Sequence, residues 1–189
     1  MSEQLKNEQF IFYQPSRDDG WAVSRLISVS PPLDTNSVYC NLLQCHHFAS
    51  TSVAVRQDDE LVGFVSGYLL PDKPETLFIW QVAVAEKARG HGVASQMIAH
   101  ILSREVCQAV LFIETTITQA NEASWALFGR VAKRYGAPLS REDLFTKDRH
   151  FSGLHETELL VTIGPLQRAT EATGTSKPIN TAMNATTGS

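Results

Sequence analysis

Two rhythms of apolar and polar positions alternate along this chain. Phe10-Ile11-Phe12-Tyr13 is a short apolar run of strand length. Ser16 followed by Asp19 is a helix-start signature, and Val23, Leu26 and Ile27 then share one helical face. A second helix is predicted after Pro31-Pro32, with Val38, Leu42 and Leu43 on one side. Residues 51–57 and 60–70 read as strands, and Asp58-Asp59 between them as a hairpin turn. Residues 77–85 form a nearly continuous apolar strand. A glycine-containing loop leads into a helix over 93–106, where Met97, Ile98, Ile101 and Leu102 recur at helical spacing. A strand over 110–117, a helix over 121–135 and a closing strand over 156–163 complete the pattern. Residues 136–153 are mostly polar, carry neither rhythm and receive no element. The predicted order is β-α-α-β-β-β-loop-α-β-α-β, a mixed α/β sheet with helices packed on its faces.

The ends differ from the middle. Residues 1–8 are polar, and residues 167–189 are rich in Thr, Ala, Ser, Asn and Gly with almost no large apolar side chain. Such segments bury too little surface to offset their ordering entropy, so disorder is expected there. A single folded domain over residues 9–166 is expected, with no internal repeat.

Composition narrows the partners. The 189 residues are 43% hydrophobic and 19% charged, with a formal net charge of −4, and no cluster of Lys or Arg marks a nucleic-acid surface. No apolar run approaches the roughly 20 residues needed to span a bilayer, and residues 1–8 lack the apolar stretch of a secretory signal. Cys40, Cys45 and Cys107 are an odd set without a CxxC pair, which fits reduced thiols and a cytoplasmic protein. His46-His47 are adjacent on a predicted helix and cannot share a face, so no metal site is expected. A small-molecule substrate remains, with neither nucleic acid nor membrane as partner.

The most informative stretch is Val82-Ala83-Val84-Ala85-Glu86-Lys87-Ala88-Arg89-Gly90-His91-Gly92-Val93-Ala94. It runs from a strand through a turn into a helix start. A helix N-terminus presents unpaired N–H groups and the positive end of a dipole, which suits a phosphate. Gly90 and Gly92 keep side chains out of the way, and Arg89 supplies a charged donor. The glycine spacing fits neither a nucleoside-triphosphate P-loop nor the dinucleotide fingerprint. Arg89-x-x-Gly92-x-Ala94 after a Val-Ala-Val strand instead resembles the pyrophosphate-binding signature of the GCN5-related N-acetyltransferases.

That resemblance implies a central, mixed, splayed β-sheet flanked by helices, and acetyl-coenzyme A as co-substrate with no metal. It implies cofactor contacts at Val82, Val84, Arg89, Gly90, His91, Gly92, Val93 and Ala94. Asn121, opening the next helix, matches an Asn that contacts the cofactor in many members; a plain helix cap is the other reading, and both can hold. Many members carry a Tyr two turns into this helix as acid for the leaving thiolate. Here that position is Phe128, which cannot donate a proton, and Tyr135 lies two further turns on.

The segment Pro31-Pro32-Leu33-Asp34-Thr35-Asn36-Ser37-Val38-Tyr39-Cys40-Asn41-Leu42-Leu43 is similar to one in the L-2,4-diaminobutyrate acetyltransferases of ectoine biosynthesis. Phe78-Ile79-Trp80-Gln81-Val82 and His155-Glu156-Thr157-Glu158 extend the likeness. It implies substrate contacts at Asp34, Tyr39, Trp80, His155 and Glu158, and a homodimer, which is usual in that family. Glu158 is the candidate base, with Trp80 and Val82 beside the reacting centre; anchoring an ammonium is the other reading of Glu158. Asp34 either anchors an ammonium or caps a helix. Glu156 and Glu158 share strand parity, and so one face. His155, Arg149 and Lys147 are open candidates for the substrate carboxylate. Two rivals stand: an acetyltransferase for another amine or a protein N-terminus, and a non-catalytic acetyl-coenzyme A sensor.

Overall fold

The computed structural model describes residues 9–30, 33 and 35–167. The expectations for residues 1–8, for Pro31-Pro32, for Asp34 and for residues 168–189 lie outside the described residues.

Seven strands form one sheet in the order β1-β2-β3-β4-β5-β7-β6. They are β1 (Ile11–Tyr13), β2 (Val53–Gln57), β3 (Glu60–Leu70), β4 (Lys73–Val84), β5 (Phe112–Thr118), β6 (Leu139–Phe145) and β7 (Glu158–Ile163). All pairings are antiparallel except β4 with β5. The helices are α1 (Gly20–Ser28), α2 (Val38–His46), α3 (Val93–Leu102), α4 (Glu122–Arg134) and the short α5 (Lys147–Phe151). The expected order is present, with β6 and α5 added inside the polar stretch.

Local chemistry sets several junctions. Ser16 and Asp19 form a reciprocal capping box on a short 3-10 turn that runs into α1. Asp58 and Asp59 both adopt positive φ, at 48° and 62°, the geometry of a tight hairpin between β2 and β3. Asp tolerates that region better than most residues.

Two cores sandwich the sheet. On one face Leu77, Ile79, Ile113, Ile117, Val161 and Ile163 meet Met97, Ile98 and Ile101 of α3 and Leu127, Phe128 and Val131 of α4. On the other, Val23, Leu26 and Ile27 of α1 and Cys45 of α2 cover Ala54, Phe64 and Ala83. Phe64 is fully buried, a gain of about 2–3 kcal/mol over exposure. The buried residues of α2 are Asn41, Gln44 and Cys45, whereas Val38 is 38% exposed, so the expected Val38-Leu42-Leu43 face is not the one turned inward. The cause is α1: Leu42 packs on Gly20, where an added Cβ would approach its Cδ2 to 2.6 Å, and this fixes the helix rotation.

The sheet is not continuous along its length. β4 and β5 pair only at Thr76/Phe112, Leu77/Ile113 and Phe78/Glu114. Beyond these residues the two strands part, and a cleft opens between them.

Candidate active site

The cleft has a volume of about 630 Å³. Its walls are Ile79 to Val82 of β4, Thr115 to Thr118 of β5, and Asn121, Ser124 and Phe128 at the start of α4. Leu33 and Asn36 close it from the segment before α2, and Leu154, His155, Glu156 and Glu158 from the approach to β7.

A bulge shapes the β4 wall. Ser66 of β3 pairs with Gln81, but Gly67 pairs with Ile79, so Trp80 is an extra residue on β4. Ala85 donates its N–H to the Val62 carbonyl at 2.8 Å, on the β3 side. By strand alternation Val84 and Val82 present their backbone groups to the opposite side, where β5 has departed. Arg89 Nε donates to the Val84 carbonyl at 3.2 Å and folds back over the strand end. Bringing Trp80 and Gln81 together at the cleft is the work of this register shift. Asn36 Nδ2 donates to Gln81 Oε1 at 2.9 Å and ties the segment before α2 to β4.

The loop after β4 has the predicted form. Gly90 and Gly92 sit at φ 82° and 71°, with Gly92 as the N-cap of α3. No side chain caps this helix. A Cβ on Gly90 would meet nothing within 4 Å and one on Gly92 only Gln96 Nε2 at 3.7 Å, so protein packing does not require the glycines. What requires them is the left-handed backbone, and the space they leave lies over the exposed N–H groups of Val93 and Ala94. His91 Nδ1 donates to the Arg89 carbonyl at 2.9 Å, and the His91 carbonyl accepts from Gln96 at 3.1 Å, so the turn is internally braced. These features suit a pyrophosphate group, with Val82 and the N–H of Val84 left for an amide-bearing arm.

Asn121 caps α4, its side chain accepting from Ser124 N at 3.1 Å, and it also lines the cleft. Phe128 lines the same wall and is 2% exposed. Tyr135 lies at the far end of α4, under the Arg134 guanidinium.

At the opposite end, Glu158 opens β7 with its side chain 19% exposed. His155 Nδ1 bonds the Glu156 carbonyl at 2.7 Å, and Nε2 stands 3.9 Å from Glu158 Oε1. The His155 ring also packs on Phe151, with centroids 4.7 Å apart. Glu156 precedes the strand rather than belonging to it, so the shared parity with Glu158 does not arise. Its carboxylate is 2.6 Å from Lys147 Nζ, and this contact holds Glu156 below the usual carboxylate range and raises Lys147. Lys147 is thereby engaged, and of the three cationic candidates His155 is the one at the cleft. Tyr39 is 69% exposed on α2 and is not among the cleft-lining residues. Asp34 lies outside the described residues. Asn36, not singled out from sequence for this site, is held at the wall by its bond to the Gln81 side chain.

Residues 20–132 match the model of the acetyltransferase (GNAT) family. The chain is 56% identical over 154 residues to an L-2,4-diaminobutyric acid acetyltransferase of Methylotuvimicrobium alcaliphilum, covering 82% of this chain and 90% of that one. Its counterpart in Halomonas elongata is 47% identical, covering 82% and 80%. The solved structure of diaminobutyrate acetyltransferase EctA from Paenibacillus lautus, in complex with its substrate L-2,4-diaminobutyric acid and coenzyme A, superposes with a TM-score of 0.81. It is 36% identical, over 84% of this chain and 96% of that one. The chain belongs to the acetyltransferase (GNAT) family and, within it, to the L-2,4-diaminobutyric acid acetyltransferases.

Proposed function

We propose that this chain transfers the acetyl group of acetyl-coenzyme A to the γ-amine of L-2,4-diaminobutyrate by direct attack within a ternary complex. The observation that carries the reading is the parting of β4 from β5. It opens a cleft that Trp80, Val82, His155 and Glu158 share, and β4 runs on from that cleft to the braced start of α3, which no side chain caps. The complex of the Paenibacillus relative with both ligands supports the same pairing of ligands here.

Arg89, Gly90, His91, Gly92, Val93 and Ala94 would hold the pyrophosphate, Val82 and Val84 the pantetheine amides, and Asn121 the cofactor beside α4. When bound, acetyl-coenzyme A supplies an activated acyl carbon. The amine must attack as the neutral base, and freeing a primary amine of its proton at pH 7 costs about 4.6 kcal/mol. Glu158 takes that proton, directly or through one water. Its neighbour His155, with Nε2 3.9 Å from the carboxylate, offers an exit for the proton. As the new C–N bond forms, the carbonyl oxygen gains charge beside the Val82 N–H, and the C–S bond then breaks. With Phe128 in the wall, the thiolate leaves without a protein acid and takes its proton from water; a thiol of pKa about 8.5 permits this. Asp34, Trp80 and His155 are the substrate contacts of this reading; Tyr39, exposed on α2 and outside the cleft lining, is not carried into it. No cysteine is assigned a covalent role, and no metal takes part.

The reading extends to ectoine biosynthesis under osmotic stress, in the cytoplasm, by a homodimer. No helix among the described residues is long and apolar enough to cross a membrane.

The test is a thiol-release assay with diaminobutyrate, ornithine, lysine, diaminopropionate and putrescine side by side, with the product located by NMR. Diaminobutyrate should give the highest kcat/KM and the acetyl group should sit on the γ-nitrogen. Equal use of putrescine would overturn the substrate. Cofactor binding without thiol release would overturn catalysis.

A further inference from the structure

Helix α5 contributes no buried residue to either core, yet it is fastened at both ends. At its start the Thr146 N–H donates to His150 Nδ1 at 2.8 Å. At its end Ser152 and Gly153 take φ of 51° and 81°, and the Gly153 N–H returns to the Lys147 carbonyl at 2.9 Å. A left-handed pair of this kind stops a helix and turns the chain back. Five residues are too few to stay helical on propensity alone, so these local bonds and the outward contacts of α5 maintain it.

Those contacts fall on three consecutive residues. The Phe151 and His155 rings meet with centroids 4.7 Å apart and planes at 43°. Lys147 Nζ reaches the Glu156 carboxylate at 2.6 Å, and the Lys147 N–H donates to Thr157 Oγ1 at 3.0 Å. The next residue is Glu158. The three contacts are unequal. Lys147 and Glu156 have side chains 45% and 69% exposed, and an ion pair in water counts for little. The ring contact and the bond to Thr157 join partly buried groups and count for more. Phe145 stands behind Phe151, edge to face at 77° and 6.4 Å.

Building on the function proposed above, we propose that α5 is a positioning element for the reaction. Phe151, acting through His155, and Thr157, acting through the chain that leads into β7, set the separation of His155 from Glu158. A hydrogen bond at Nδ1 fixes one edge of the His155 ring, and the Phe151 ring against its face fixes its plane. The 3.9 Å between Nε2 and Glu158 Oε1 depends on both. Phe151 and Thr157 are not among the cleft-lining residues, so neither acts by touching substrate. Misplacing a reacting group by about 1 Å can cost about 10²-fold in rate, which gives these outlying contacts kinetic weight.

The experiment is a double-variant cycle on the full chain, with acetyl-coenzyme A and diaminobutyrate as substrates. Phe151→Leu removes the ring and keeps an apolar side chain. It should lower kcat about tenfold and leave the Michaelis constant for acetyl-coenzyme A within about twofold of the parent. Phe151→Tyr keeps the ring and should keep the parental kcat. His155→Ala should lower kcat by itself. Adding Phe151→Leu to it should cost no more than about twofold further, because the ring that Phe151 holds is gone. Thr157→Val loses the acceptor but keeps the shape and should also lower kcat, whereas Thr157→Ser should not. Parental kcat in Phe151→Leu or Thr157→Val overturns the proposal. So does an equal loss in Phe151→Tyr or Thr157→Ser, or a Phe151→Leu loss that persists in full beside His155→Ala. A parent that does not acetylate the γ-amine overturns the function itself, a separate failure read in the same assay.

Discussion

His155 turns Nε2 to within 3.9 Å of Glu158 Oε1 because its other ring nitrogen is tied to the Glu156 carbonyl at 2.7 Å. A carbonyl only accepts, so Nδ1 carries a proton and Nε2 is the nitrogen turned toward Glu158. In the proposed reaction this nitrogen would receive the proton that Glu158 takes from the amine. Replacing Glu158 by Gln keeps shape and hydrogen bonding but removes the acceptor. Turnover should fall about 10²–10⁴-fold, the range of general-base assistance. Part of the loss should return at high pH, where more of the amine is already neutral. The kcat profile against pH checks this. An effect confined to the Michaelis constant for the amine would make Glu158 an anchor instead.

The sequence disclosed those parts of this molecule whose cause is local. The Ser16–Asp19 box, the Asp58-Asp59 turn and the positive-φ glycines before α3 each follow from chemistry within a few residues. β6 did not show, because Leu139–Phe145 is an edge strand whose residues are nearly all exposed. Its charges guard that edge, and they erase the alternation that would reveal a strand. Nor could the position of Trp80 be read, since the bulge exists only in the pairing of β4 with β3. Glu156 was misplaced for a similar reason: β7 begins two residues later, where Phe145 and Thr118 supply partners for Glu158.

Gly92 caps α3 at φ 71°, where a branched side chain is strained and where it would stand over the helix N–H groups. Gly92→Val should weaken acetyl-coenzyme A binding far more than amine binding. Calorimetric titration of the cofactor against a variant shown to be folded by circular dichroism measures it. Unchanged cofactor affinity would mean that the phosphates sit elsewhere.

Phe128 occupies the cleft wall, 2% exposed, at the position where an acid would serve the leaving thiolate. Phe128→Tyr should leave turnover within about threefold of the parent, because a thiol of pKa about 8.5 leaves readily without help. A clear gain, accompanied by a new limb in the high-pH profile, would show that proton supply to sulfur limits the reaction.

The last prediction concerns a network remote from the cleft. Tyr13 OH donates to Asp19 Oδ1 at 2.8 Å, Arg56 Nε donates to Tyr13 OH at 2.8 Å, and Arg56 also reaches Asp19 at 3.0 Å. Burial opposes the Asp19 charge, but the Ser16 N–H, the Tyr13 hydroxyl and Arg56 together outweigh it and hold the carboxyl below its ordinary value. A depressed carboxyl stabilises the fold in full above the unfolded Asp pKa, about 3.9, and loses that contribution as pH falls through the lower folded value. Tyr13 behaves oppositely. Burial first, opposed by Arg56 and reinforced by Asp19, pushes its hydroxyl up to about 12, so its contribution is complete below about 10 and is lost as pH climbs toward 12. Asp19→Asn should therefore lower Tm near pH 7 by about 4–8 °C, corresponding to about 2 kcal/mol for hydrogen bonds to a charged group in a chain of this size. The deficit should begin to shrink below about pH 4 and close as pH falls through the lower folded value, where the parent loses the same charge. Tyr13→Phe should shrink the acid limb in part, leaving the share due to the Ser16 N–H and Arg56, and flatten the alkaline one. Thermal melts of the three proteins across pH 3 to 11 test both limbs. A parallel offset at every pH would show that the network acts through packing and not through charge.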